Sequence, residues 1–264
     1  MGERRIAHDR RRRTDLSRHR APDPKPLEKL KTCTAWRNNA NCLACDGREN
    51  SFFAGLAPDV IATLHVDVDN TATPSDEILY RPGTQAEHLW VLRTGAVKLV
   101  AASWDGAPRI VRVLKPGDVA GIEGLLAGGY AHTAVTVGRV HACRIPIRAT
   151  RRICLEHAGF QWNLMRKWQA ALRETEQWLV DMTSAGATAR VRMARLLLRL
   201  RDGESSRIHN FSREDLGLML GATIETASRI IAAFLRERLL VKREAGNQFY
   251  DADIARLEMV AQGH

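Results

Sequence analysis

The spacing of apolar residues changes period twice along the 264-residue chain. Between residues 56 and 150, short apolar stretches alternate with turn signals. Arg81-Pro82-Gly83, Thr94-Gly95, Asp105-Gly106 and Lys115-Pro116-Gly117-Asp118 punctuate them at strand-plus-turn intervals. "VKLVAASWDGAPRIVRVL" reads as a hairpin around Asp105-Gly106. Several short antiparallel strands at this spacing predict a β-barrel or jelly roll. After Pro146 the period becomes helical. From Arg151 to Ser184 the chain has no proline and, apart from Gly159, no turn residue cluster. Met165, Trp168, Leu172, Thr175, Leu179 and Met182 recur at spacings of 3, 4, 3, 4 and 3. That seam predicts one long helix over 151–184 that pairs two copies of the chain as a coiled coil. Packing of the same stripe on its own domain is the alternative.

Ala185-Gly186-Ala187 breaks this helix, and "TARVRMARLLLRLRD" predicts the next one. Ser212 is a good N-cap, with Glu214 and Asp215 suited to a first turn. Gly221-Ala222-Thr223 then makes a short turn, with Thr223 capping a further helix. Helix, glycine-containing turn and helix form a helix-turn-helix signature. "LLVKREAGNQFYDAD" adds two strands around Gly246-Asn247, the wing of a winged helix. At about 100° per residue, Glu225, Ser228, Arg229 and Arg236 share one face of the second helix. Ile224, Ala227, Ile230, Ile231, Phe234 and Leu235 fall on the opposite side. The polar face has its hydrogen-bonding residues at the N-terminal end, where such helices touch bases. Arginine can pair with guanine O6 and N7, glutamate can accept from cytosine N4, and serine is a flexible partner. A solvated face with a Glu225–Arg229 ion pair is the plainer alternative. The expected class is α+β: a β-roll or jelly roll, a long dimerisation helix and a C-terminal winged helix-turn-helix. Five segments follow: a basic arm over 1–30, a cysteine-rich stretch over 31–55, the β-domain over 56–150, the helix over 151–184 and the DNA-binding domain over 185–264.

Charge supports a nucleic-acid partner. The net charge is +10 and the isoelectric point about 9.9, a balance that favours polyanions. Part of the excess sits in "RRRR" at 10–13, in an arm that "APDPKP" at 21–26 ends. No apolar run is long enough to cross a bilayer, and the basic N-terminus lacks the apolar stretch of a secretory signal. The expectation is a cytoplasmic protein with no membrane partner. Thiols stay reduced there, which changes the meaning of Cys33, Cys42 and Cys45. They form C-x8-C-x2-C in a chain with only five cysteines, and such a cluster points to metal or redox chemistry before a disulfide. Zinc accepts four thiolates, and C-x2-C is a common half of its sites. Cys42-Leu43-Ala44-Cys45 also has the form of a thiol-redox pair, but without the βαβ context of that motif. No Ser/His/Asp array and no phosphate-cradling glycine loop is present, so no enzyme is expected. His65, His88, His132 and His141 read as surface or structural residues, not haem ligands.

The segment "LGLMLGATIETASRIIAAFLRERLLV" resembles the winged helix-turn-helix of the CRP/FNR regulators. "RPGTQAEHLWVLRTGAVKLV" and "LKPGDVAGIEGLL" resemble that family's β-roll, with Gly95 and Gly117 at its recurrent turns, and the resemblance spans about residues 50–255. It implies a homodimer that binds double-stranded DNA and touches RNA polymerase. Glu-Thr-Ala-Ser-Arg matches the E-x-x-S-R of the FNR branch. This implies base reading by Glu225, Ser228 and Arg229, beside Thr223 and Arg236. Ile224 stands where the CRP branch has arginine, implying a TTGAT-like inverted repeat. Cyclic nucleotide binding in the family needs an arginine followed by serine or threonine at the phosphate. His132-Thr133 stands there, and imidazole replaces a guanidinium fork poorly, so cAMP is not expected although Glu123 is retained. FNR-type sensors hold a [4Fe–4S] cluster with three N-terminal cysteines and one in the β-roll. "HACRIPI" resembles that last segment, so the resemblance implies Cys33, Cys42, Cys45 and Cys143 as ligands. Here the third cysteine precedes the C-x2-C pair, and Ser51 lies near the place of a later one. Cys154 reads as a small buried hydrophobe. The implied switch is cluster-dependent pairing of the long helix, released by oxygen or nitric oxide. A zinc-bound or ligand-free regulator that reads DNA constitutively is the alternative.

Overall fold

The computed structural model describes residues 53–65, 68–184, 186–242 and 249–263. Cys33, Cys42, Cys45, Ser51 and the wing tip with Gly246-Asn247 lie outside the described residues. The first half is an antiparallel β-roll. Its strands are β1 (Asp69–Thr73), β2 (Ile78–Tyr80), β3 (His88–Ala102), β4 (Pro108–Leu114), β5 (Val119–Ala120) and β6 (Thr133–Pro146). They pair in the order β1-β6-β3-β4, with β2 on β6 and β5 on β3. The β3–β4 hairpin turns at Ser103–Ala107, as the Asp105-Gly106 signal predicts. β3 and β6 run the length of the sheet, and their register slips on either side of Thr94. Gly95 sits in that irregularity at φ +82°, and a Cβ there would lie 2.6 Å from the Arg139 carbonyl oxygen. Only glycine fits both constraints. β3 and β6 then bury Leu89, Leu92 and Ile145 with Leu114 in a first core.

Two helical pieces inside the β-rich span escape a period-2 reading. α1 (Pro58–His65) precedes β1, and α2 (Gly124–Ala127) is one short turn between β5 and β6. The single helix expected over 151–184 is also corrected. α3 (Ile147–Glu156) and α4 (Ala158–Thr183) meet at His157, whose backbone is extended at φ −132° and ψ 102°. Gly159 lies two residues beyond the break, in the first turn of α4. Ile153 and Phe160, on either side of it, are 1% and 0% exposed and both belong to the β-roll core.

α4 therefore has two faces. Phe160, Leu164, Trp178 and Met182 pack on the chain's own cores, and Arg112 bonds Glu174 at 3.0 Å. Along the predicted seam, Met165, Leu172, Thr175 and Leu179 are exposed, Trp168 is half-buried and Met182 turns toward the C-terminal domain. Trp162 and Val180 join the exposed apolar set.

The C-terminal domain contains α5 (Ala189–Arg199), β7 (Arg207–His209), α6 (Arg213–Leu220), α7 (Ile224–Arg236), β8 (Leu240–Lys242), β9 (Phe249–Ala252) and α8 (Ile254–Gln262). The expected two-stranded wing is a three-stranded sheet in the order β7-β9-β8. Each of α5, α6, α7 and α8 is capped by its own side chain: Thr188, Ser212, Thr223 and Asp253 accept from an N–H three residues on. Its core holds Met193, Leu197, Leu216, Met219, Ile231 and Phe234. Four β-roll residues, Ala96, Ile110, Val113 and Val137, belong to that same core.

Gly95→Ala tests the register slip. The added Cβ meets backbone at a left-handed φ, so urea unfolding should show a loss of at least about 2 kcal/mol. A loss near zero would mean the irregularity relaxes without cost.

Candidate DNA-reading face and sensor cysteine

The reading helix is set by a tight turn. α6 ends at Gly221, left-handed at φ +65°, whose N–H returns to the Gly217 carbonyl. Gly217 has no room for a side chain, since a Cβ there would stand 2.8 Å from the Ala222 carbonyl oxygen. Thr223 then caps α7, its hydroxyl accepting from the Thr226 N–H at 3.3 Å. Ala227, Ile230, Ile231 and Phe234 are buried, as the periodicity predicts, and Leu235 is half-buried. Thr223, Glu225, Arg229 and Arg236 are exposed, and Ser228 is half-buried between them. Among the described residues no ion pair joins Glu225 to Arg229. The Glu225 carboxyl is held below the usual carboxylate range by its own backbone N–H and then by the Thr223 hydroxyl. It therefore stays an acceptor at neutral pH.

One assignment on this helix is corrected. Ile224, read as an inward residue, is 49% exposed. It occupies the first helical position after the Thr223 cap. Sequence reasoning thus missed one apolar side chain on the outer surface, beside Glu225 and Arg229. Its place directly after the cap, and its match to an arginine position of the CRP branch, are the signals that could have revealed it.

In the β-roll, Cys143 lies on β6 between Asn70 of β1 and Val91 of β3. It is half-buried, outside any disulfide, with its Sγ 3.6 Å from the Asn70 Oδ1. Next to it, Arg144 pairs with Asp69 at 2.7 Å. Cys154 on α3 packs against the β-roll core, and burial pushes its thiol pKa up. Among the described residues no group of three or more His, Cys, Asp or Glu side chains could hold a metal ion. The other three candidate thiols all precede residue 53. The chain that leaves their segment is anchored to α4: Phe53 packs against Phe160 at 6.1 Å between ring centroids, and the Asn163 Nδ2 donates to the Ala54 carbonyl at 2.6 Å.

Glu123 lies between β5 and α2, and His132 immediately before β6. Burial alone would raise the Glu123 pKa, but His132 and the backbone N–H groups of Glu123 and Ala131 outweigh it and hold the carboxyl ionised. The His132 Nδ1 is 3.9 Å from the Glu123 Oε1 and makes no hydrogen bond. Tyr80, Trp90 and Tyr130 fill the interior beside them, with Tyr80 and Tyr130 stacked at 4.0 Å. Burial pushes the Tyr80 hydroxyl strongly upward, so it stays a neutral phenol.

Comparison with known proteins fits this architecture. A cyclic nucleotide-binding domain family model matches residues 72–157, and a Crp-like helix-turn-helix domain model matches residues 191–260. Together they cover more than half of the chain. The chain is 25% identical over 190 residues to the CRP-like cAMP-activated global transcriptional regulator of Mycobacterium tuberculosis, covering 69% of this chain and 84% of the relative. It is 24% identical over 193 residues to the transcriptional activator protein Anr of Pseudomonas protegens, covering 71% of this chain and 78% of the relative. The solved structure of TTHB099, a CRP-family transcriptional regulator from Thermus thermophilus, superposes with a TM-score of 0.60 at 25% identity, over 73% of this chain and 96% of that one. A β-roll, a long helix and a helix-turn-helix whose outer face is polar, in the order these relatives share, make this chain a member of the CRP/FNR family of DNA-binding transcriptional regulators.

Proposed function

We propose that this regulator senses oxygen or nitric oxide through a [4Fe–4S] cluster held by Cys33, Cys42, Cys45 and Cys143. It binds a TTGAT-like inverted repeat as a homodimer. The observation that carries the sensing half is the anchor of Phe53 and Ala54 on α4. It fixes the chain eight residues after Cys45, at Phe53, on the helix whose exposed seam would pair. Four thiolates suit an iron–sulfur cubane, and Cys143 is half-exposed on β6. When bound, the cluster supplies an oxygen-labile link between the N-terminal segment and the β-roll.

The chain's own residues do the rest. Phe53 and Ala54 fix the start of α4, and Asn163 holds that junction through its amide. Met165, Leu172 and Leu179 present an apolar stripe that a second copy would cover, with Thr175 as its polar point. Pairing sets two α7 helices at the separation of two half-sites. Glu225, Ser228 and Arg229 then read bases, with Thr223 and Arg236 beside them. Bound protein touches or blocks RNA polymerase according to operator position. Cyclic AMP is a poor fit, because His132 offers no guanidinium fork where the family's arginine would stand. A zinc site on the same thiolates is the second reading, favoured by the C-x2-C half-site.

Protein purified without oxygen decides between them. Iron and acid-labile sulfide at about four each per chain, with a broad visible absorption lost in air, supports the sensor. Colourless protein carrying zinc makes the cysteines structural. Cys143→Ala should abolish anaerobic operator binding while leaving the far-ultraviolet circular dichroism unchanged. Intact binding in that variant sinks the sensing scheme. Leu172→Asp should be monomeric in sedimentation at concentrations where the parent is dimeric, and should bind the full operator at least about tenfold more weakly. Arg229→Ala should cost about 1–3 kcal/mol in operator affinity and relax preference at one base position in a competition assay. A uniform loss across all sequences would instead make Arg229 a phosphate contact.

A further inference from the structure

Resting on the reading that the chain binds DNA as a two-fold dimer, we infer that Lys98 and Arg109, on the β3–β4 hairpin, are positioning residues for DNA recognition. They fix the angle of the reading domain on the β-roll and so set the operator spacing the dimer accepts.

The hairpin lies along α6 and grips it at both ends. At the start of α6, the Lys98 Nζ stands 2.7 Å from the Asp215 Oδ1, with the two side chains 14% and 11% exposed. At its end, the Arg109 guanidinium lies against Gly221, where a Cβ would come 2.6 Å from the Nη1. Between these points, Ile110 and Val113 share one apolar core with Leu216, Met219 and Leu220. The two spans match. Lys98 and Ala101, the strand partner of Arg109, are separated by about 10 Å of extended chain, and Asp215 and Gly221 by about 9 Å of helix.

An apolar patch alone resists separation but tolerates sliding and rotation, because burial is non-directional. A buried ion pair at one end and a guanidinium seated on a glycine turn at the other remove that freedom. α7 packs directly on α6, so the angle of α6 decides where Glu225, Ser228 and Arg229 point. Gly221 immediately precedes the turn that launches α7, which puts the Arg109 contact next to the reading end. The sheet that carries Cys143 therefore reaches the reading helix through β3 and β4 as well as through α4.

An operator is first selected from a random duplex library with the parent protein, and its spacer is then lengthened and shortened by two base pairs. The parent should prefer the selected spacing by about fiftyfold or more, since half-site separation is a geometric match. Lys98→Met and, separately, Arg109→Ala should flatten that preference to about tenfold or less, with dimer mass unchanged. Arg109 is exposed, so its variant keeps the test valid if Lys98→Met fails to fold. Unchanged spacer preference in Arg109→Ala, and in Lys98→Met where it folds, overturns this inference alone, even if unfolding stability falls. A library that yields no operator with protein kept free of oxygen overturns the dimeric DNA reading, and this inference with it.

Discussion

Ile110 and Val113 leave the β-roll to be buried, and they are buried against α6. That shared core is what the rest of the molecule is arranged around. An antiparallel hairpin with one apolar face must cover it. β4 lies at an edge of the sheet order, and its Ile110 and Val113 pack in the core of the helix-turn-helix. Lys98 and Asp215 sit in the wall of this core. An ion pair so placed costs about as much in desolvation as it returns in attraction, so its worth lies in direction more than in strength. The β-roll and the C-terminal domain of one chain are thereby joined through packed side chains and not only through a connecting helix.

α4 carries the second junction. Its N-terminal turn enters the β-roll core through Phe160, and its C-terminal turn enters the other core through Trp178 and Met182. Asp181 pairs with Arg199 of α5, and the Lys115 Nζ reaches the Arg199 carbonyl at 2.7 Å. A helix fixed at both ends on its own chain still leaves a stripe of Met165, Leu172 and Leu179 in water. Both cores therefore rest on α4, while one stripe of that helix stays exposed.

Periodicity revealed most of the architecture. The hairpin at Asp105-Gly106, the helix-turn-helix over 212–236 and the caps Ser212 and Thr223 follow from turn chemistry and capping, which act within a few residues. The inward face of α7 was legible for the same reason, except at Ile224. The division of the long helix at His157 was not read, although Gly159 lies two residues beyond it, because a single glycine is tolerated inside a helical pattern. β7 and α8 were missed because three strand residues and a short amphipathic helix carry too little pattern to stand out. At the candidate sites, Glu225, Ser228, Arg229 and Cys143 could be nominated from residue type and motif. The cysteines before residue 53 could be counted from the sequence but not located.

What the sequence by itself determined is whatever depends on neighbours in the chain: strand and helix periods, the glycine at a left-handed turn, the cap before α7, the excess of positive charge, and the number of thiols available. What only the tertiary structure decided is where separate periods meet. It placed β4 on α6, brought Ile153 and Phe160 from either side of the helix break into one core, set Asn163 against Ala54, and left one face of α4 uncovered. Those outcomes depend on burying area and satisfying polar groups between segments tens to more than a hundred residues apart, and no local pattern encodes the partner of a face.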